Sequence, residues 1–209
     1  MNSHFPESNN PIKFYRFEAS GHCHRVQLML SLLDLPYEII ELNRDGSNRP
    51  DDYLETSPFG QVPVIDDNGF KLGDSNAILV YLVKKYNDGY AWLPESAELA
   101  ARTQRWLSIA AGELASGPAV ARFSKVFNVE IDFATVEKKT VSLLGMIDNT
   151  LSQHDFLTGN EITIADIACY TYVAHAPEGD ISLDPYPNIK AWLSKIEALP
   201  RFVAMKKSR

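Results

Sequence analysis

The hydrophobic pattern of this 209-residue chain changes character once, near residue 95. Before that point, short apolar runs alternate with helical patterns, whereas after it only helical periodicity recurs. The first arrangement predicts a sheet covered by helices, and the second predicts a helix bundle. We therefore predict an α/β domain over residues 12–86 and an all-α domain over residues 97–209. A polar lead-in, 1–11, and a linker, 87–96, complete the chain.

The α/β half has the predicted order βαβ, loop, ββα. Apolar residues recur at i, i+3, i+4 and i+7 from Val26 to Leu33, which predicts an amphipathic helix between two short strands. Strands joined in this way are expected to be parallel, with a right-handed crossover. The sequence Asp66 to Gly69 suits the turn of a later hairpin. The predicted strands are 12–17, 37–42, 62–65 and 70–72, and further helices are predicted at 51–55 and 74–85.

The second half is predicted to contain helices alone. The third of them has a clear start, because Thr163 and Asp166 are spaced as a capping box in which Asp replaces the usual Glu. Ile162 and Ile167 are spaced to form the accompanying hydrophobic staple. We interpret this motif as a folding signal. The predicted helices are 97–126, 133–152, 163–175 and 187–207.

Composition restricts the partners. The net charge of -7 and pI of about 5.2, with no basic stripe, argue against binding to nucleic acid or acidic lipid. No apolar run is long enough to span a bilayer, and the N-terminus lacks the apolar core of a signal peptide. Two cysteines without disulfide or metal spacing favour a cytoplasmic protein. His22 and His24 would face different sides of a helix, so no metal site is predicted.

Three segments carry candidate chemistry, and the first is Val62-Pro63. A proline entering a strand loses a ladder hydrogen bond. A cis peptide bond here would expose the neighbouring backbone N–H and C=O, which could bind an extended peptide as an added strand does. The alternative is an ordinary trans proline on an edge strand.

The second segment is Asp74-Ser75, at the start of a predicted helix. The Ser75 hydroxyl and the first free N–H groups suit a carboxylate, and Asp74 suits an ammonium group. The alternative is a helix cap without a ligand.

The third segment runs from Ser20 to Arg25, where the first strand meets the first helix. A hydroxyl at this helix N-terminus could donate to a thiolate and lower the pKa of the thiol. Cys23 itself could be acidified by the same field. The alternative is a capped helix start with a structural cysteine.

Together these segments resemble the cytosolic glutathione transferase superfamily, in particular its bacterial, theta-like and delta-like members. The resemblance covers about residues 12–202 and is most specific over residues 57–82, SPFGQVPVIDDNGFKLGDSNAILVYL. Residues 20–38 and 156–167 match two further family motifs, in the expected order. It implies a thioredoxin-like N-terminal domain, a helical C-terminal domain and a homodimer. It also implies glutathione as co-substrate, with no metal cofactor.

The resemblance also implies residue roles. Ser20 would donate to the glutathione sulfur, which then attacks a small electrophile. The backbone of Val62, before a cis Pro63, would pair with the cysteinyl part, and Gln61 would reach toward the glycyl carboxylate. Asp74 and Ser75 would hold the γ-glutamyl end. Phe59 matches an aromatic dimer contact, and Arg122, Phe123 and Phe127 are candidates for lining the electrophile pocket between the domains.

This sequence departs from the family pattern in one respect that matters for binding. Several relatives carry a basic residue at the positions of Gly60 or Gln61, so here the glycyl carboxylate must be neutralised elsewhere or by solvent. Tyr15 lies inside the first strand, away from the position of a catalytic tyrosine, which favours Ser20. Two other functions stay open: a thiol–disulfide reductase that uses Cys23, and a non-catalytic ligand-binding module.

Overall fold

The computed structural model describes residues 10–86 and 92–208, and the chain divides into two compact units between residues 90 and 91. Residues 1–9 of the predicted lead-in and residues 87–91 of the predicted linker lie outside the described residues. Trp92, at the other end of that linker, is buried, and its carbonyl accepts a hydrogen bond from the Ile164 amide at 2.8 Å.

The first unit contains a four-stranded mixed sheet in the order β2-β1-β3-β4. β1 pairs with β2 in parallel and with β3 antiparallel, and β3 pairs with β4 antiparallel. This arrangement confirms the predicted thioredoxin-like βαβ-ββα domain. Its elements are β1 (Ile12–Arg16), α1 (Gly21–Leu32), β2 (Tyr37–Glu41), α2 (Tyr53–Thr56), β3 (Val64–Asp67), β4 (Phe70–Gly73) and α3 (Ser75–Lys85).

The hairpin between β3 and β4 has the predicted turn. Asn68 and Gly69 both have positive φ angles, 54° and 92°, as a two-residue type I′ turn requires. β3 begins at Val64, two residues later than predicted. The reason is that Pro63 has no N–H to donate to the ladder. The Val62-Pro63 peptide bond is cis.

The strand register brings the three candidate segments to one edge of the sheet. Val64, the first residue of β3, pairs with Tyr15 near the end of β1 and with Gly73 at the end of β4. Because Ser20 follows β1, Val62 precedes β3 and Ser75 follows β4, all three lie beyond the same edge.

The second unit is helical, as predicted, but two predicted helices are wrong in extent. The pattern at 97–126 contains three helices, because Gly112 and Gly117 interrupt it. A Cβ atom on Gly117 would lie 2.9 Å from the Glu113 carbonyl oxygen and 3.1 Å from the Thr140 hydroxyl, so both the local backbone and the packing on another helix favour glycine there. The helices are α4 (Ala97–Ala111), α5 (Glu113–Ser116), α6 (Pro118–Val126), α7 (Phe133–Leu151), α8 (Ile164–Ala174) and α9 (Pro187–Glu197).

The last predicted helix, 187–207, is also too long. α9 ends at Glu197, shortly before Pro200, and residues 202–208 carry no helix. Proline cannot continue the backbone hydrogen bonding and disfavours helical geometry in the residue before it. A short 3-10 helix, Ala176–Gly179, follows α8 and packs on α6.

The start of α8 confirms the predicted capping box. The buried Asp166 carboxylate accepts hydrogen bonds from the amides of Thr163 and Leu157 and from the indole of Trp192, each at 2.9 Å. Burial raises the pKa of Asp166 to about 6, although these donors act in the opposite direction. One carboxylate thus connects α8, α9 and the loop before α8.

Candidate active site

Ser20 caps the N-terminus of α1. Its φ and ψ angles of -84° and 119° are extended, and its Oγ accepts a hydrogen bond from the Cys23 amide at 3.3 Å. The side chain is only half-buried, so the hydroxyl is within reach of a ligand. The positive end of the α1 dipole lies at the same point and favours an anion there.

Cys23 has the opposite surroundings. Its side chain is 1% exposed, and its sulfur accepts a hydrogen bond from the Phe17 amide at 3.5 Å. Burial raises the pKa of the thiol to about 12 and outweighs the lowering effect of nearby Ser20 and Arg16. Cys23 is therefore a neutral, enclosed thiol at neutral pH, and such a thiol is a poor nucleophile.

The backbone of Gln61 is fully engaged, whereas that of Val62 is open. The Gln61 carbonyl accepts hydrogen bonds from Tyr53 at 2.7 Å and Ser57 at 3.0 Å, and its amide donates to Ser57 at 2.9 Å. Across residues 10–86 and 92–208, no side chain or backbone group bonds to the N–H or C=O of Val62. The Val62 side chain packs against the buried cluster of Leu42, Tyr53 and Val64. The N–H and C=O of Val62 are thus open to a ligand, and the hydrogen bonds of Gln61 hold the neighbouring backbone in place.

The Asp74-Ser75 segment opens α3 with an unusual backbone. Asp74 has a φ angle of 69°, which is uncommon for a residue other than glycine, and its exposed carboxylate caps the helix through the Ala77 amide at 2.8 Å. Ser75 is the first helical residue and is buried. Since first-turn amides have no partner within a helix, the Ser75 N–H and hydroxyl form a donor pair beside the Asp74 carboxylate.

Arg49 is a candidate that the sequence analysis missed. Its guanidinium lies against Gly46 and Gly60, where a Cβ atom would be only 2.4 Å and 2.9 Å from Nη1. Both glycines have positive φ angles. Arg49 forms no salt bridge with a carboxylate of the described part of the chain. The Arg49 guanidinium therefore lies next to Gly60, two residues before Val62 in the sequence.

No short spacing connects Arg49 with the other site residues, because it lies in the loop before α2. The only local signal is the pair of glycines that accommodate its side chain, and their relation to Arg49 is visible only once the loop is folded.

The residues predicted to line the electrophile pocket differ in their surroundings. Arg122 is buried, and it donates hydrogen bonds to Glu178 at 3.1 Å and to Ser208 at 3.0 Å. Phe123 is 40% exposed, and its ring centroid lies 5.1 Å from that of Phe127. The structure brings the two phenyl rings together near the end of α6, while the charge of Arg122 is already paired. Their role in substrate binding stays a prediction.

The described residues contain neither a metal-binding cluster nor a membrane-spanning helix. Within residues 10–86 and 92–208, His, Cys, Asp and Glu side chains form no group of three or more that could hold a metal ion. In the same residues, no helix combines the length and the apolar character needed to cross a bilayer.

Both units match models of known domains. Residues 14–90 match the glutathione S-transferase N-terminal domain, and residues 107–200 match the glutathione S-transferase C-terminal domain. The chain belongs to the glutathione S-transferase family. It is a glutathione transferase, an enzyme that uses glutathione as its co-substrate.

Individual relatives agree with this assignment. Glutathione S-transferase D7 of Anopheles gambiae is 29% identical over 88% of this chain and 85% of its own length. Glutathione S-transferase theta-1 of Mus musculus is 29% identical over 90% of this chain and 82% of its own. The crystal structure of a glutathione S-transferase from Pseudomonas fluorescens superimposes with a TM-score of 0.87 and 32% identity, covering 95% of this chain and all of that one. This glutathione transferase therefore has the family architecture over most of its length.

Proposed function

We propose that this glutathione transferase stabilises the glutathione thiolate through Ser20 and conjugates it to a small, mostly apolar electrophile. The observation that carries the proposal is the position of Ser20, a half-exposed hydroxyl that caps the first helix at the edge of the sheet where Val62 and Ser75 also lie. The N-terminus of α1 and the Ser20 hydroxyl would both stabilise the negative charge of the glutathione thiolate.

The Ser20 hydroxyl and the N-terminus of α1 can together provide the free energy needed to lower the pKa of the glutathione thiol. A free thiol has a pKa of about 8.5, and lowering it by about two units takes roughly 2.7 kcal/mol of preferential thiolate stabilisation. A hydrogen bond to a charged group contributes about 1.5–3 kcal/mol, and a helix N-terminus adds about 0.3–1 kcal/mol. These two ranges together bracket the requirement, so the proposal invokes only Ser20 and the start of α1 at the sulfur.

The rest of glutathione is proposed to lie along the open backbone groups. The N–H and C=O of Val62, before Pro63, pair with the cysteinyl residue as a short strand would. Asp74 accepts the γ-glutamyl ammonium group, and Ser75 donates to the γ-glutamyl carboxylate. The Gln61 side chain is exposed, so it can contact the glycyl end of glutathione.

Arg49 is proposed to neutralise the glycyl carboxylate. The sequence offers no basic residue at Gly60 or Gln61, yet the folded loop places the Arg49 guanidinium against Gly60. A guanidinium binds a carboxylate through two parallel hydrogen bonds, which suits the end of an extended tripeptide. Loop folding thus replaces the basic residue that several relatives carry within the motif itself.

Replacing Arg49 by glutamine is expected to raise the KM for glutathione about tenfold with little change in kcat, because the lost contact is far from the sulfur. Steady-state kinetics at varied glutathione concentration measure both constants. Arg44→Gln is the matched control, since it removes an exposed charge from the same loop. An equal rise in KM for both variants would mean that overall charge, not a contact with Arg49, governs binding.

The thiol–disulfide reductase that uses Cys23 is less well supported. A thiol that is 1% exposed, with a pKa of about 12, is neither accessible to a disulfide nor ionised at neutral pH. The open backbone of Val62 and the donors at Ser75 support glutathione binding in a non-catalytic module equally well, and Ser20 is what distinguishes the enzyme from it.

We also propose that the protein is a cytosolic homodimer in which Phe59 contacts the partner. Phe59 is 88% exposed, and a phenyl ring so placed is typical of a residue buried by association. Both cysteines are free thiols, which supports a reducing compartment.

Phe59→Ser is expected to raise the dimer dissociation constant by at least about 30-fold, the usual effect of losing a buried aromatic anchor. Sedimentation velocity over a range of concentrations measures it. Phe70→Ser serves as the control, because this exposed ring stacks on Tyr81 within its own unit at 4.6 Å. An unchanged dissociation constant for Phe59→Ser would remove Phe59 from the interface.

The catalytic proposal is tested by titrating the thiol in the complex. Thiolate absorbance in the ultraviolet is followed against pH for glutathione alone and for glutathione bound to the enzyme. A pKa well below that of free glutathione supports activation of the thiol. Binding without a shift in pKa would mean that the site holds glutathione without activating it.

A further inference from the structure

Arg25 connects the first helix to the start of the third. The side chain is 1% exposed and lies in the second turn of α1. Its Nη1 donates hydrogen bonds to the Ser75 hydroxyl oxygen at 3.1 Å and to the Asn76 side-chain oxygen at 2.9 Å. Both acceptors belong to the first turn of α3. A buried guanidinium thus lies directly behind the serine proposed to hold the γ-glutamyl carboxylate.

This contact determines the direction in which Ser75 donates. A serine hydroxyl has one hydrogen and can rotate it to suit its neighbours. Because Arg25 can only donate, the Ser75 oxygen must accept from it and its own hydrogen must point elsewhere. No group in residues 10–86 or 92–208 accepts that hydrogen. The Ser75 hydroxyl is therefore prepared as a donor to a ligand.

The positive charge of Arg25 also favours an anionic ligand at Ser75. A guanidinium stays protonated at every accessible pH, and its field is strong where water is excluded. In the same helix, burial and, to a smaller extent, the charge of Arg25 lower the pKa of His22 to about 3. An anion bound at Ser75 would lie one hydrogen-bonded group away from this positive charge.

We infer that Arg25 is a positioning residue that makes the enzyme selective for thiols with an α-carboxylate at the γ-glutamyl end. It does so by orienting the Ser75 hydroxyl and by placing a permanent positive charge behind it. The inference rests on the proposed binding of that carboxylate by Ser75. Arg25 itself, being enclosed, contacts the ligand only through Ser75 and the first turn of α3.

The test compares three ligands by calorimetry: glutathione, glutaryl-Cys-Gly, which lacks the amino group, and 4-aminobutyryl-Cys-Gly, which lacks the carboxylate. The wild-type enzyme is expected to bind the ligand without carboxylate at least about tenfold more weakly than glutathione. Arg25→Gln is expected to weaken the two carboxylate ligands about tenfold and to change the third by less than about twofold.

Three further variants separate positioning from a structural role. Arg25→Lys keeps the charge but not the paired hydrogen bonds, so an intermediate loss is expected even if Arg25→Gln fails to fold. In the Ser75→Ala background, replacing Arg25 is expected to add less than about threefold, because the two residues act on one contact. Gln27→Met is the matched control, since Gln27 bonds from α1 to Arg16 and Tyr37 rather than to α3.

The possible outcomes are distinguishable. Equal weakening of all three ligands by Arg25→Gln and Arg25→Lys would overturn the inference, because it would indicate a general loss of site structure. A wild-type enzyme that does not prefer the carboxylate ligands would overturn the proposed role of Ser75 instead. A wild-type preference that survives unchanged in both Arg25 variants would overturn the role of Arg25 alone.

Discussion

Replacing Ser20 by alanine is expected to lower kcat/KM roughly 100-fold at pH 6, the largest effect on activity of any single substitution considered for this enzyme. The pKa of bound glutathione would return from about 6.5 toward about 8.5, so the thiolate fraction at low pH would fall by nearly two orders of magnitude. Above about pH 9 the thiol is ionised in both proteins, and the two rates should converge. The pH profile of kcat/KM with an activated aryl chloride measures this.

Cys23→Ser is the control for that experiment. It changes a sulfur atom three residues away in the same helix start, and the enclosed Cys23 thiol takes no part in the proposed reaction. We expect kcat/KM to stay within about twofold of the wild-type value. The assignment of Ser20 fails if Ser20→Ala leaves the profile unchanged. A loss of turnover confined to Cys23→Ser would transfer the chemistry to the cysteine.

Replacing Asp166 by alanine is expected to have the largest effect on stability, a loss of about 4 kcal/mol in the free energy of unfolding. The substitution leaves the amides of Thr163 and Leu157 and the indole of Trp192 buried without an acceptor, and each such group costs about 1–3 kcal/mol. Urea unfolding at pH 7.5, above the pKa of about 6, measures the effect with the carboxylate ionised.

Two variants calibrate this result. Asp132 caps α7 in a similar way through Thr135, but it is exposed, so Asp132→Ala should cost only about 1 kcal/mol. Asp166→Asn keeps one acceptor oxygen for Leu157 and Trp192. Its loss in the free energy of unfolding should fall between those of Asp132→Ala and Asp166→Ala. Similar losses for Asp132→Ala and Asp166→Ala would show that burial adds nothing to the cap.

Local signals account for the parts of the fold that were predicted correctly. The Asn68-Gly69 turn and the Thr163–Asp166 cap are complete within four residues, so their geometry follows from the residues themselves. The break at Gly117 is different. Helical periodicity continues across it, although a Cβ atom on Gly117 would lie 2.9 Å from the carbonyl oxygen of Glu113 and 3.1 Å from the hydroxyl of Thr140, which is 23 positions further along the chain. The second contact exists only after the helices have packed.

The same division applies to the site. The proposed roles of Ser20, Val62 and Ser75 depend on local positions that a short motif specifies: a helix cap, the residue before a cis proline and a helix start. Arg49 and Arg25 are proposed to act through side chains that reach residues distant in sequence, Arg49 to Gly60 and Arg25 to Ser75. Neither arginine has a fixed spacing from its target that physical chemistry alone would pick out. Their contribution therefore required the folded structure.

The backbone of Gln61 is hydrogen-bonded within the protein, whereas that of Val62 is open, and this difference has a consequence for how the enzyme can evolve. The groups offered at Val62 are main-chain atoms, which every amino acid possesses, so exchanging its side chain for another apolar one leaves them in place. The residues that fix those atoms, Tyr53 and Ser57, are the ones whose hydroxyls cannot be exchanged freely. Selection for retained glutathione affinity should therefore act more strongly on these two supporting hydroxyls than on the side chain of Val62, the residue proposed to contact the peptide.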